Sequence, residues 1–133
     1  MTWKTSRAQL LQRLKVGDIF HATSETAPII LCVVTMVDGQ HIYSRRLTGQ
    51  CIFIFHQITG FLYDRDVQNT GERSGSCMIT SVEPLPLEIH NTLIHFDRKC
   101  RLMNGETQPV TEQEKVAMQF TDNHYTSNPL PSD

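Results

Sequence analysis

The chain has 133 residues, of which 39% are hydrophobic and 20% are charged, and its formal net charge at pH 7 is −2. A chain of this length is typical of one domain, and its composition is not that of a disordered, collagenous or membrane protein. The small negative charge gives no overall attraction for a phosphate backbone. Binding to nucleic acid would therefore require a local basic patch.

Residues 5–15 are predicted to form a short amphipathic helix, which Ser6 caps and for which Gln9 completes a capping box. The apolar residues of this N-terminal segment alternate with Gln, Arg and Lys, unlike those of a secretion signal. The longest apolar run, residues 28–34, is far shorter than the roughly 20 residues of a membrane-spanning helix. We therefore expect a cytoplasmic protein with no membrane partner.

The middle of the chain is predicted to form about five short strands. β-Branched and aromatic residues are dense in VGDIFHAT, PIILCVVTMV, QHIYSRRLT, CIFIFHQI and CMITSV, with a shorter piece, FLY, after Gly60. Asp38-Gly39, between the second and third of these runs, predicts a hairpin with a type I′ turn, in which both central residues need a positive φ. Consecutive strands at short spacing indicate an antiparallel sheet.

The C-terminal part is predicted to be helical. Five residues recur at the spacing of one helical stripe, namely Ile89, Leu93, Phe96, Cys100 and Met103. A last helix is predicted to open at Thr111, with Glu114 in capping-box register, and to reach Phe120. Residues 123–133 are polar and contain proline, so we expect a flexible tail there.

Together these elements predict an α+β fold, with a short N-terminal helix and two C-terminal helices around a small bent antiparallel sheet or a partly open SH3-like β-barrel of about five strands. Residues 1–122 are expected to form this single domain. The second strand is apolar on both faces and therefore needs cover on both sides. A barrel interior with an outer helix would supply it, and so would a second copy in a homodimer.

The order of VGDIF, a proline that opens the apolar strand PIILCVV, and a turn resembles the start of the MazF and PemK family of toxin endoribonucleases. This resemblance implies an SH3-like barrel, a homodimer and cleavage of RNA. The chain departs from the family pattern at Ala27, because that family typically has arginine immediately before this proline. We carry over the fold from the resemblance and leave out the nuclease activity.

No pattern in the sequence predicts a catalytic residue, a metal site or a cofactor. His90 and His95 are five residues apart, which places them about 140° from each other on a helix. His21, His41 and His56 fall in different predicted strands and could converge in space, but their spacing does not say so. GxSxG, P-loop and GxGxxG arrangements do not occur. The four cysteines include no CxxC pair, and we expect them to be buried, reduced thiols.

Residues 64–76, DRDVQNTGERSGS, contain one valine among polar residues and glycines and are predicted to form a long solvated loop. Loops of this length often have a function, and its charges of both signs suit a polar protein surface. We expect the binding surface to comprise this loop and the adjacent strand. The candidate binding residues are Arg45, Arg46, Asp64, Arg65, Asp66, Glu72 and Arg73.

Arg45 and Arg46 occupy opposite faces of the predicted third strand. They are interpreted as solvated charges that discourage strand addition at an edge, and the alternative is a contact with a phosphate or another anion. The leading hypothesis for the whole chain is a non-enzymatic binding or adaptor domain with a protein partner. The alternative is an RNA-binding or RNA-cleaving SH3-like barrel of the MazF and PemK type, which would use Arg45, Arg46 and a nearby histidine.

Overall fold

The computed structural model describes residues 6–24, 30–63, 77–102 and 110–131. Within these ranges the helices are α1 (Arg7–Gln12), α2 (Leu87–Leu102) and α3 (Glu112–Ser127). The strands are β1 (Ile19–Thr23), β2 (Ile30–Val37), β3 (His41–Arg46), β4 (Ile52–His56) and β5 (Met78–Ser81). This confirms the predicted α+β fold. None of the three helices combines the length and the apolarity that crossing a membrane requires.

The five strands form one bent antiparallel sheet in the order β4-β3-β2-β1-β5. The sheet curls into a half-barrel, and the short apolar piece after Gly60 lies between its two outer strands. There, Leu62 pairs with Phe55 of β4, and Phe61 pairs with Met78 of β5. The backbone of residues 60–63 therefore hydrogen-bonds to both edges of the curled sheet.

The hairpin between β2 and β3 lies where the sequence predicts it, but its turn is of a different type. Only Gly39 has a positive φ, 90°, whereas a type I′ turn needs two such residues. The Asp38 N–H donates to the His41 carbonyl at 3.3 Å, so Gly39 and Gln40 form the two-residue loop, with glycine first, as in a type II′ turn. The Asp38 carboxylate accepts hydrogen bonds from the N–H groups of Gln40 at 2.9 Å and His41 at 2.7 Å.

Two clusters of buried residues lie on opposite faces of the sheet. The inner cluster fills the concave side, where the rings of Phe20 and Phe55 meet edge to face at 5.6 Å. The outer cluster joins Val33 of β2 to Leu93 of α2 and Ala117 of α3. Both faces of β2 are therefore covered over residues 30–34, by the concave core and by the helices.

Arg7, on α1, is a buried cation that is held by backbone carbonyls and is only 8% exposed. Its guanidinium donates to the carbonyls of Thr59 at 2.7 Å, Ile79 at 2.8 Å and Pro131 at 3.2 Å. A Cβ atom at Gly60, whose φ is 80°, would lie 2.8 Å from Arg7 Nη2. Glycine at this position thus allows the guanidinium to approach the backbone.

The capping boxes predicted for α1 and α3 are both present. Ser6 and Gln9 cap α1 reciprocally, and Thr111 and Glu114 do the same for α3. The predicted stripe of α2 is also confirmed at its centre, because Leu93 and Phe96 are buried. Met103, predicted as its last member, lies outside the described residues.

The helix α3 is longer than predicted. It continues to Ser127, so residues 123–127, which were expected to belong to a flexible tail over residues 123–133, are helical. Tyr125 is 2% exposed and donates to the Ile19 carbonyl at 3.3 Å, and the Leu130 N–H donates to the Thr80 carbonyl. The packing of residues 125–130 thus extends the fold past the predicted boundary, while residues 132–133 lie outside the described part of the chain.

We expect Leu93→Ala to lower the free energy of unfolding by about 2–5 kcal/mol, because Leu93 is fully buried between α2 and the sheet. Urea denaturation measures this change. The matched control is Leu87→Ala on the same helix, where the side chain is 74% exposed and the expected change is within about 0.5 kcal/mol. Equal effects of the two substitutions would contradict the docking of α2.

Candidate functional site

The helices α2 and α3 leave part of the outer face of the sheet uncovered. On β3, Ile42 and Ser44 are fully buried in the concave side, so His41, Tyr43 and Arg45 lie on the outer face. The area that neither helix covers, within the described ranges, is here called the outer hairpin face and consists of Met36, His41, Tyr43, Ile52, Ile54, His56 and Tyr63. Two of its members are well exposed, Ile52 at 72% and Met36 at 48%.

Side chains on this face of β3 and β4 approach each other closely across the strands. The Arg46 N–H donates to the Cys51 carbonyl at 2.8 Å, which makes Arg46 and Cys51 a hydrogen-bonded pair. Such pairs alternate along an antiparallel ladder, so His41 and His56 form a non-hydrogen-bonded pair. Pairs of that kind bring side chains nearest to each other.

A group of rings gathers around this histidine pair. The ring centroid of His41 lies 5.9 Å from that of His56 and 4.8 Å from that of Tyr63, and His56 and Tyr63 are 5.3 Å apart. Asp38 lies at the rim of the group. Its carboxylate is 3.4 Å from His41 Nδ1 and accepts a hydrogen bond from the Tyr43 hydroxyl at 3.2 Å.

The protonation of this group follows from its contacts. Hydrogen bonds from the N–H groups of Gln40 and His41 lower the pKa of Asp38 to about 2, so it remains a carboxylate at neutral pH. Burial and the neighbouring His41 lower the pKa of His56, which favours its neutral imidazole. Burial and the Asp38 carboxylate raise the pKa of Tyr43.

Arg45, predicted as a binding residue, is engaged in a buried ion pair with α2. Its guanidinium makes two parallel contacts with Asp97, at 2.9 Å to Oδ1 and 2.7 Å to Oδ2. The same carboxylate accepts from the Thr48 N–H at 2.6 Å and from Arg101 Nε at 3.2 Å. Burial tends to raise the pKa of Asp97, but the hydrogen bonds from Arg45 and Thr48 outweigh it and hold the pKa below its ordinary value. We call this arrangement the Arg45–Asp97 clamp.

The other predicted binding residues have different outcomes. Arg46 is exposed at the end of β3, and Asp64, Arg65, Asp66, Glu72 and Arg73 all lie outside the described residues. Of the three strand histidines, the structure brings together His41 and His56. His21 lies on β1, where it stacks on Tyr125 at 5.6 Å and contacts the Thr80 hydroxyl.

Sequence reasoning missed the outer hairpin face as a unit. It located the hairpin strands but did not fix the register that brings His41 opposite His56. The signal lies in the spacing: if the chain reverses at Thr48-Gly49, residues whose numbers add to 97 face each other, as the observed pairs do. Thr48 is the one non-glycine with a positive φ, 66°, in the described ranges, and the sequence offers no conventional turn signal for it.

Outside the outer hairpin face, the described part of the chain shows no site that specifies a metal or another ligand. It contains no group of three or more His, Cys, Asp or Glu side chains that could hold a metal ion. The four cysteines are free, with Cys51 exposed instead of buried, and burial raises the pKa of Cys32 to about 12. Two adjoining grooves of about 410 and 340 Å³ share Arg13, Asp18 and apolar neighbours, and their mixed charges specify no ligand.

No family model, curated protein or solved structure matches the chain. The likeness to the MazF and PemK toxins therefore stays a prediction.

We expect Asp97→Ala to lower the free energy of unfolding by about 3–5 kcal/mol, because it leaves the largely buried Arg45 guanidinium without its counter-charge. Arg101→Ala removes a cation that contacts the same carboxylate but is 39% exposed, and it should cost about 0–1 kcal/mol. Chemical denaturation distinguishes the two. A small effect of Asp97→Ala would mean that the clamp does not secure α2.

The stability of the fold should fall in mild acid. Burial lowers the pKa of His21 below 6.5, although Asp122 opposes the shift, and the pKa of His56 is lowered as well. The unfolded chain therefore takes up protons first, so the free energy of unfolding is highest above the ordinary pKa and decreases as the pH falls through the lowered values. Urea denaturation at about pH 7.5 and about pH 5.5 measures this decrease, since carboxylates stay largely ionised at both.

The control for this pH dependence uses two single substitutions. His21→Gln should reduce the difference between the two pH values, whereas His95→Gln, at an exposed position of α2, should leave it unchanged. A stability that is the same at both pH values would show that His21 and His56 are equally easy to protonate in the folded and unfolded states.

Proposed function

We propose that this domain is a non-enzymatic binding domain and that the outer hairpin face binds another protein. The observation that carries the proposal is the composition of this uncovered face. Tyrosine, isoleucine, methionine and histidine side chains make up its seven members, and none is a lysine, an arginine or an acid. Protein interfaces are enriched in aromatic residues and methionine and depleted of lysine and glutamate. Exposed apolar patches of this kind mark interaction sites.

The backbone under this face also suits binding. Tyr43 and Ile54 are directly paired on adjacent strands, and Asp38 anchors both the turn and the Tyr43 hydroxyl. The far end of the same strand is tied to α2 through Arg45. A surface whose side chains are already ordered loses less conformational entropy when a partner binds.

The rival proposal, an RNA-binding or RNA-cleaving surface, has one feature in its favour. The half-buried rings of Tyr43 and Tyr63 are of the type on which bases stack. Phosphate contacts, however, need available cations, and of the two strand arginines that this proposal names, Arg45 is engaged by Asp97 and Arg46 alone is exposed. The net charge of −2 also gives no general attraction for RNA. These observations favour a protein partner.

The test is site-specific photo-cross-linking in cells, with a benzophenone amino acid at position 43 or, in a matched control, at position 116 on α3. Val116 is apolar and 52% exposed but lies outside the outer hairpin face. We expect a discrete protein adduct from position 43 that is absent from position 116. With the captured partner purified, Tyr43→Ser should weaken binding about tenfold or more, and Val116→Ser should not.

Two results would overturn this proposal. The first is the same adducts from both positions, or none from position 43. The second is tight binding of fluorescently labelled RNA that weakens as salt is raised and is lost in Tyr43→Ser, because phosphate contacts are salt-dependent and this result would assign the face to RNA.

A further inference from the structure

We propose that His41 and His56 form a binding site for a divalent transition metal of the class that imidazole ligands favour, such as Ni²⁺, Cu²⁺ or Zn²⁺. The two side chains are opposite each other on adjacent antiparallel strands and point to the same, outer face of the sheet. Their non-hydrogen-bonded pairing gives the closest side-chain approach that such strands offer. This proposal does not depend on a protein partner.

The separation of the two rings is close to that expected on a shared metal ion. Imidazole nitrogens bind such metals at about 2.0–2.1 Å, so two rings on one ion have centroids roughly 4.5 Å apart at an angle of 90° and roughly 5.2 Å apart at the tetrahedral angle. The observed centroid distance between His41 and His56 is 5.9 Å. Rotation of the two side chains would have to bring the rings roughly 1 Å closer for joint coordination at either angle.

Asp38 supplies a second, independent feature of a metal site. Its carboxylate oxygen Oδ2 lies 3.4 Å from Nδ1 of His41. Metal-binding histidines commonly donate their other ring N–H to a carboxylate, which orients the ring and fixes the tautomer. With Nδ1–H directed at Asp38, the lone pair of His41 is on Nε2, where it can bind a metal.

The protein supplies two ligands, and water would complete the coordination. Because no third His, Cys, Asp or Glu side chain joins the pair within the described residues, binding should be reversible. The site would exchange its ion with the solution, unlike a closed structural zinc site with four protein ligands.

Ni²⁺ is the probe for the test, because thiolates favour Cu(I) and Zn²⁺ and Cys51 is exposed. Ni²⁺ should raise the Tm of the wild-type protein, since an ion that binds the folded state stabilises it. His41→Asn and His56→Asn should each lose most of this rise. The double substitution His90→Asn with His95→Asn, on α2, is the matched control and should keep it.

A second measurement uses the wild-type protein alone, so it remains valid if a variant folds poorly. Ni²⁺ is paramagnetic, and in NMR spectra a substoichiometric amount should perturb the ring C–H signals of His41 and His56 before those of His90 and His95. The proposal is overturned if the wild-type Tm does not rise, if the rise persists without both His41 and His56, or if all four rings respond together.

Discussion

The position of the helices on the sheet depends on the Arg45–Asp97 clamp. A buried carboxylate is costly unless its charge is paired and its oxygens accept hydrogen bonds, and Asp97 meets this condition only where Arg45 and the Thr48 N–H converge. The planar, two-point contact also restricts the orientation of α2. The helix layer thus ends at Arg45, and the outward side chains of His41 and Tyr43, further back on β3, remain uncovered.

The parts of the fold that could be predicted from sequence are those set by local interactions. The two capping boxes and the hairpin at Asp38 depend on residues within a few positions of each other. The buried face of α3 is different, because it includes Glu114 and Thr121 while Val116 and Phe120 are exposed. Glu114 is buried because Lys99, on the other helix, pairs with it at 3.0 Å. A stripe of apolar residues in the sequence cannot reveal such a partner.

The candidate site could not be predicted for a related reason. The register that pairs His41 with His56 requires the connection from β3 to β4, where Thr48 has a left-handed conformation and donates its N–H to Asp97, 49 residues away. A long-range contact thus supports the local turn. Sequence reasoning selected Arg45 as a cation for binding a partner, whereas in the structure it pairs with the same Asp97 carboxylate. A charged side chain that is already paired within the fold is not available to bind a ligand.

The hydrogen bonds of Arg7 can form only in a fixed order during synthesis on the ribosome, because their acceptors lie far apart along the chain. Arg7 is synthesised early, and Thr59 and Ile79 follow. Pro131, whose carbonyl is the last of the three acceptors, is synthesised 124 residues after Arg7. A buried donor without its acceptor is costly, so a nascent chain that has not yet exposed residue 131 holds α1 less firmly. The attachment of α1 to the sheet is therefore complete only when the segment that ends at residue 131 has packed against it.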